Sequence, residues 1–165
     1  MNIIISTQQD LYILMNIYEF ARRFMQETGN PGQWIDGYPS EEVILGDINR
    51  NQSYLITDDN GVIVGTFCFF IGEDPTYANI YDGRWLNDKP YGVIHRLAGT
   101  GKVKGIGDYC MQWCLEQCGN VRVDTHPDNK VMQTIFLRNG FTKCGIIYTH
   151  NGTPRIAFQK YPGKE

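Results

Sequence analysis

The segment Ile94-His-Arg-Leu-Ala-Gly-Thr-Gly-Lys-Val-Lys-Gly-Ile-Gly107 constrains this chain more than any other stretch of it. It reads as a strand that runs into a glycine-rich turn and then into a helix. Gly105 and Gly107 carry no side chain, so backbone N–H groups from Lys102 onward can converge on one small anion. The following helix adds about half a positive elementary charge at its N-terminus. Lys102 and Lys104 add whole charges beside it, and the combination suits a phosphate.

Two phosphate-binding patterns fail here. A nucleotide P-loop requires Gly-x-x-x-x-Gly-Lys-Ser/Thr, but Gly101-Lys102 is preceded five positions back by Arg96 and followed by Val103. A dinucleotide fingerprint requires Gly-x-Gly-x-x-Gly, and Gly105-Ile106-Gly107 is followed by Cys110 at the last of those places. What remains, Lys102-x-x-Gly105-x-Gly107, resembles the Gln/Arg-x-x-Gly-x-Gly/Ala pyrophosphate loop of the GNAT superfamily of acyl-CoA N-acyltransferases, with Lys in place of Gln or Arg. Downstream, Val121-Arg-Val-Asp-Thr-His-Pro-Asp-Asn129, the helix-forming run Lys130 to Arg138 and the closing Asn139-Gly140-Phe141 are similar to that family's second signature. The resemblance covers about Tyr54 to Lys160 well and the N-terminal part in outline.

The resemblance implies one α/β (α+β) domain over residues 1–165. It is a mixed central sheet of about seven strands, splayed between the fourth and fifth and flanked by four helices. It implies acetyl-CoA as acyl donor, held by backbone at Leu97, Ala98 and Gly99 and by Lys102, Val103, Lys104, Gly105, Ile106 and Gly107. Asn129 and Phe136 line the same ligand in the second signature. The Leu97 N–H falls where the family polarises the thioester carbonyl, and one such donor is worth ~3 kcal/mol.

Direct attack on a thioester needs a neutral amine. An alkylammonium with a pKa near ~10.4 is neutral in about one part in a few thousand at pH 7, so a base speeds transfer. Histidine is the side chain whose ordinary range lies near neutrality, and His95 lies on the key strand, which makes it the first candidate; the alternative is a hydrogen-bonded core histidine. Glu73, Asp124 and His126 are lesser candidates, the last two flanking Thr125 where they can instead set a turn. Many family members place a Tyr seven residues after the motif Asn as general acid. That place is Phe136 here, so acid catalysis is absent, water-borne or supplied by Tyr148 or Tyr109.

At 165 residues the chain fits one domain with a proper core. A net charge of −3 with scattered Lys and Arg suggests neither a nucleic-acid nor an anionic-membrane surface. No apolar run approaches the ~20 residues of a membrane span, and the start lacks the features of a signal peptide, so a cytoplasmic location is expected. Cys110, Cys114 and Cys118 share one helix face, which invites either a metal site or small packing residues. With no His in that helix, packing is the expectation and no metal is assigned.

The remaining elements follow from periodicity. Asn2 to Ser6 is a strand, and Thr7 is placed to cap a helix from Asp10 to Glu27 that turns Leu11, Leu14, Met15, Tyr18 and Ala21 inward. Ser40 caps a second helix to Asn49, with Val43, Ile44 and Ile48 inward. Ser53 to Thr57 and Val62 to Phe70 form a hairpin around Asn60-Gly61. Strands follow at Tyr91 to Ala98 and Val121 to Asp124, and helices at Gly105 to Cys118 and from an Asp128 cap to Arg138. Thr142 to Tyr148 and Thr153 to Gln159 pair around Asn151-Gly152.

Two aromatic connections stand out. Trp34, Asp36 and Tyr38 lie between the first two helices, a connection that overhangs the acceptor in the GNAT family; they line an acceptor pocket or simply pin the loop to the core. Tyr77, Tyr81 and Trp85 lie in the long link from Ile71 to Pro90, as pocket walls or as a self-packed loop. The leading functional reading is an N-acetyltransferase acting on a small-molecule or amino-acid-like amine, with self-association into a homodimer compatible with it. A silent acyl-CoA-binding module and an O-acyltransferase are the alternatives.

Overall fold

The computed structural model describes residues 1–162. In chain order its elements are β1 (Asn2–Ile5), α1 (Leu11–Glu27), α2 (Glu41–Asn49), β2 (Ser53–Thr57), β3 (Ile63–Ile71), β4 (Gly92–Gly99), α3 (Ile106–Gln117), β5 (Val121–Thr125), α4 (Lys130–Arg138), β6 (Thr142–Tyr148) and β7 (Pro154–Lys160). The strands form one seven-stranded sheet in the order β1-β2-β3-β4-β5-β7-β6. The sheet is mixed: β1–β2, β2–β3, β5–β7 and β6–β7 are antiparallel, and β4 runs parallel to β5, in register at Gly92 with Val121 and Val93 with Arg122. The chain resolves into two compact units, Met1–Phe69 with His95–Cys110, and Phe70–Ile94 with Met111–Glu165.

In the first unit α1 and α2 lay their apolar stripes on one sheet face. Leu14, Ile17, Tyr18, Trp34, Ile44, Ile48, Leu55 and Ala98 form the buried cluster, with Leu11, Met15, Ala21 and Val43 at its margin. Burying side chains of this size is worth ~1.5–3 kcal/mol each. Ser40 caps α2 as expected, its Oγ accepting from Val43 N–H at 3.2 Å. Thr7 does not cap α1. It opens a short 3-10 turn, Gln8–Asp10, in which the Asp10 carboxylate accepts from the Thr7 N–H at 2.8 Å, and α1 begins at Leu11. The β2–β3 turn closes because Asp58 Oδ1 accepts from the N–H groups of Asn60 and Val62 while Gly61 adopts φ +81°.

In the second unit the residues 72–90 are not a loose flap. They contain a 3-10 turn at Pro75–Tyr77 and a bridge in which Tyr81 and Ile146 exchange both backbone hydrogen bonds at 2.8 Å. Trp85 Nε1 donates to Tyr77 O at 3.0 Å, Leu86 N–H to Gln159 Oε1 at 2.8 Å and Arg122 Nη2 to Asn87 O at 2.7 Å. Tyr77, Tyr91, Val93, Ile147 and Ala157 form the buried cluster beneath, with Trp85 packed against it. A second aromatic group, Phe136, Phe141 and Phe158, is also buried, with ring centroids 5.8 and 5.1 Å from Phe136.

The cap of α4 is Asn129 rather than Asp128. Asn129 Oδ1 accepts from the Met132 N–H at 2.9 Å, whereas the Asp128 N–H turns back to His126 Nδ1 at 3.0 Å. At the other end Gly140 takes φ +84°, and the N–H groups of Gly140 and Phe141 donate to the carbonyls of Leu137 and Phe136, both at 3.0 Å. This is the glycine-terminated closure expected of Asn139-Gly140-Phe141.

Candidate functional site

The glycine-rich turn leaves the sheet at Thr100, whose N–H still donates to Val64 O at 3.0 Å. Gly101 then adopts φ +79° beneath the ring of Phe20, and the Lys102 N–H folds back onto Thr100 Oγ1 at 3.3 Å. The Lys102 amide is therefore already bonded within the turn. Gly105 adopts φ +83°, and a Cβ built on it would meet nothing within 4 Å. Its carbonyl accepts from Tyr109 N–H at 3.0 Å, so the backbone ladder of α3 begins at that bond. Lys102 and Lys104 are exposed and Val103 is half-buried beside this opening.

What fixes the opening is Ile106. Its side chain is buried and fills the space that a Cβ on Gly65 or Gly99 would need, at 3.0 and 3.1 Å. Gly99 thus serves packing, whatever else its backbone contacts. Gly107 lies in the first turn of α3 and is half-buried. On the strand before the turn, Leu97 and His95 are half-buried and Ala98 belongs to the core cluster.

Between His95 and Leu97 stands a residue that sequence reasoning passed over. Arg96 adopts φ +55°, a backbone conformation that costs a non-glycine residue of order 1–3 kcal/mol. Its Nε and Nη2 donate to the two carboxylate oxygens of Asp47 at 2.8 and 2.7 Å, and its Nη1 donates to the Tyr38 hydroxyl at 2.8 Å. Asp47 is buried on the inward face of α2, one turn from Ile44, and that carboxylate at an inward position was the available signal.

The same node anchors the α1–α2 connection. Arg22 Nε and Nη2 donate to the carbonyls of Tyr38 and Gly37 at 3.1 and 3.3 Å, and Trp34 is buried with its ring 5.7 Å from Tyr18 and 6.2 Å from Tyr38. Asp36, at φ +55°, projects from the exposed part of that connection. Burial pushes the nearby Cys68 thiol up to about 12, against the pull of Arg96. Tyr109, considered as a proton donor, already donates its hydroxyl to Met1 O at 2.6 Å.

In the second unit the Tyr77 hydroxyl donates to Asp124 Oδ1 at 2.5 Å. Burial, and after it the negative charge of Asp124, hold the Tyr77 phenol well above its ordinary range. His126 Nδ1 accepts from the Asp128 N–H, so the neutral ring carries its proton on Nε2. Its pKa lies below the usual value through burial first and the Arg155 charge second, with Asp128 opposing. Glu73 is exposed, Tyr81 is exposed with its ring 5.5 Å from that of Tyr148, and Asn129 spends its carbonyl oxygen on the α4 cap. Phe136 is a core residue and offers no hydroxyl.

An open mixed sheet with a parallel β4–β5 pair and four helices is the fold of the GNAT acetyltransferases. A GNAT-family acetyltransferase from Streptococcus agalactiae is 29% identical to this chain, with 99% of this chain and 96% of that one covered at a TM-score of 0.88. The chain shares the fold of the GNAT acetyltransferases, and the likeness supports a transferase. A GNAT-family acetyltransferase from Listeria monocytogenes (18% identity, 96% and 93% covered, TM-score 0.70) and a ribosomal-protein-alanine N-acetyltransferase from Brucella melitensis (16% identity, 98% and 99% covered, TM-score 0.65) share the fold. No family model matches the sequence, and no curated protein is significantly similar to it.

Proposed function

We propose that this chain transfers an acetyl group from acetyl-CoA to the amine of a small or amino-acid-like acceptor. The observation that carries the donor half is the cradle at Gly105: a left-handed glycine with open space where a side chain would stand, at the start of α3 and beside two exposed lysines. That donor set fits a diphosphate. Residues 103–107 would hold it by backbone, Lys102 and Lys104 by charge, and Leu97 to Gly99 would pair with the amide-bearing arm. Bound acetyl-CoA supplies a thioester-activated acetyl group.

Support for a compact acceptor comes from the α1–α2 connection, which Arg22 and Arg96 tie down from two sides. An extended protein segment would be better served by an open connection. The family as a whole admits protein acceptors, since the Brucella melitensis structure is named for one. The half-buried His95 and the Tyr77-bound Asp124 are the groups we assign to proton handling. None of the five cysteines is in a disulfide, in keeping with a reducing, cytoplasmic location. Neither nucleic acid nor a membrane surface enters this reading.

Isothermal titration with acetyl-CoA, alongside thiol release over a panel of primary amines, tests it. Binding with amine-dependent thiol release is the expected result, and failure to bind acetyl-CoA at millimolar concentration sinks it. A silent acyl-CoA-binding module is the second reading, favoured by the buried Phe136. It predicts tight binding with no acceptor-dependent release. Turnover restricted to alcohols would point instead to O-acylation.

A further inference from the structure

We infer that Asp124 is the carboxylate that receives the acceptor's ammonium group, and that Tyr77 is the positioning residue that aims it. The inference rests on the acetyltransferase reading and goes further by assigning a cation site for the acceptor.

The register of β5 sets the geometry. Asp124 stands opposite Ala157 of β7, and Ala157 belongs to the cluster that Tyr77 caps. Alternation puts Asp124 on the same face as Arg122, while Val123 and Thr125 are buried on the other. The link 72–90 covers this face and brings the Tyr77 hydroxyl to Oδ1 of the carboxylate at 2.5 Å. That phenol has little freedom: Tyr77 is 1% exposed, its ring lies 5.1 Å from Trp85 and 6.3 Å from Tyr91, and its 3-10 turn is capped by Asp74. Oδ1 is therefore anchored on a phenol that packing holds in place.

Oδ2 is the informative atom. Among the described residues it has no hydrogen-bond partner, and no ion pair reaches this carboxylate. The cation on the same strand face is committed elsewhere. Arg122 is sandwiched between the rings of Trp85 and Tyr91, at 4.3 and 4.0 Å, and donates to Asn87 O. A carboxylate with one oxygen held by a phenol and the other without a partner among the described residues can take a cation at that second oxygen. A metal is a poor candidate, because no group of three or more His, Cys, Asp or Glu suited to one occurs among the described residues. A primary ammonium needs one such oxygen, and an amine acceptor arrives in that form at neutral pH. The step assigned to Asp124 is a proton transfer: an N–H bond of the ammonium breaks, an Oδ2–H bond forms, and the electron pair stays on nitrogen as the nucleophile.

The test uses the full chain with Asp124→Asn, Asp124→Ala and Tyr77→Phe, and benzylamine as the probe cation. Benzylamine binding to the CoA-saturated protein is read by titration, and turnover by thiol release. For Asp124→Asn we expect benzylamine affinity to fall at least about tenfold and kcat about a hundredfold, while acetyl-CoA affinity stays within about twofold. Tyr77→Phe keeps the ring, so it should bind acetyl-CoA normally and lose about tenfold in kcat with little change in the KM for acetyl-CoA. Added formate should restore part of the turnover of Asp124→Ala, which a merely structural defect would not allow. If the wild type fails to bind acetyl-CoA, the acetyltransferase reading falls and this one with it. If it binds acetyl-CoA but takes benzylamine no better than Asp124→Asn does, or if that variant keeps full turnover, the assignment of Asp124 alone is overturned.

Discussion

Arg96 and Asp47 meet as a two-point ion pair, Nε to Oδ2 at 2.8 Å and Nη2 to Oδ1 at 2.7 Å, with the carboxylate 1% exposed. Each member covers a liability of the other: a buried anion on α2, and a left-handed residue in the middle of β4. Removing one partner leaves an uncompensated charge, so Asp47→Ala should destabilise the protein by about 3–5 kcal/mol in chemical denaturation. Replacing both residues by apolar ones of similar volume should recover much of that stability while leaving activity impaired, because Tyr38 and the backbone at Leu97 lose their anchor. A loss below ~1 kcal/mol for Asp47→Ala would mean that the pair does not hold the strand.

Gly105→Ala places a Cβ in open space, so no neighbour is displaced, yet the φ of +83° becomes unfavourable. The expected destabilisation is about 1–2 kcal/mol. Acetyl-CoA affinity should fall by about tenfold or more, since the new methyl stands where the cradle opens. Undiminished affinity in the folded variant would move the diphosphate site elsewhere.

Cys68 should be chemically silent in the native protein. Burial raises its thiol to about 12, so the nucleophilic thiolate is scarce at pH 8 and the sulfur is also out of reach. Mass spectrometry after brief iodoacetamide treatment should find Cys118, which is partly exposed, modified ahead of Cys68, Cys110 and Cys114. Rapid labelling of Cys68 in the folded state would contradict its placement.

His126 ties stability to pH in a definite direction. Its folded pKa is depressed, so between the folded value and the ordinary value near 6.5 the unfolded chain binds more protons than the native one. The neutral ring's contribution is complete above that ordinary value and is lost as the pH falls through it toward the folded value. Protonation also deprives the Asp128 N–H of its acceptor at Nδ1. Melting temperatures measured from pH 7.5 to pH 5 should decline with a component that His126→Gln lacks; parallel curves would refute the assignment.

How much of this was legible beforehand depends on how local the determinants are. The strand–turn–helix around Gly105, the Ser40 cap, the Asn60-Gly61 hairpin and the Asn139-Gly140-Phe141 closure are written in contiguous residues, and each forms as read. The cap of α4 was misplaced by one residue because Asp128 and Asn129 are both good caps. The choice falls to the backbone of the turn that His126 organises. The Arg96 node and the Tyr77–Asp124 bond were invisible as relationships, joining positions 49 and 47 residues apart. The link 72–90 carried the right aromatics, but its stitching to Ile146, Gln159 and Arg122 depends on three strands, β6, β7 and β5, distant in sequence.

The kink at Arg96 has an evolutionary corollary. A residue there answers to two masters, since glycine would suit the backbone but surrender the guanidinium, and most other side chains would supply neither. Drift at this position should therefore be correlated, with relatives that lose Arg96 also changing Asp47 and Tyr38, and with glycine or asparagine as the common substitute.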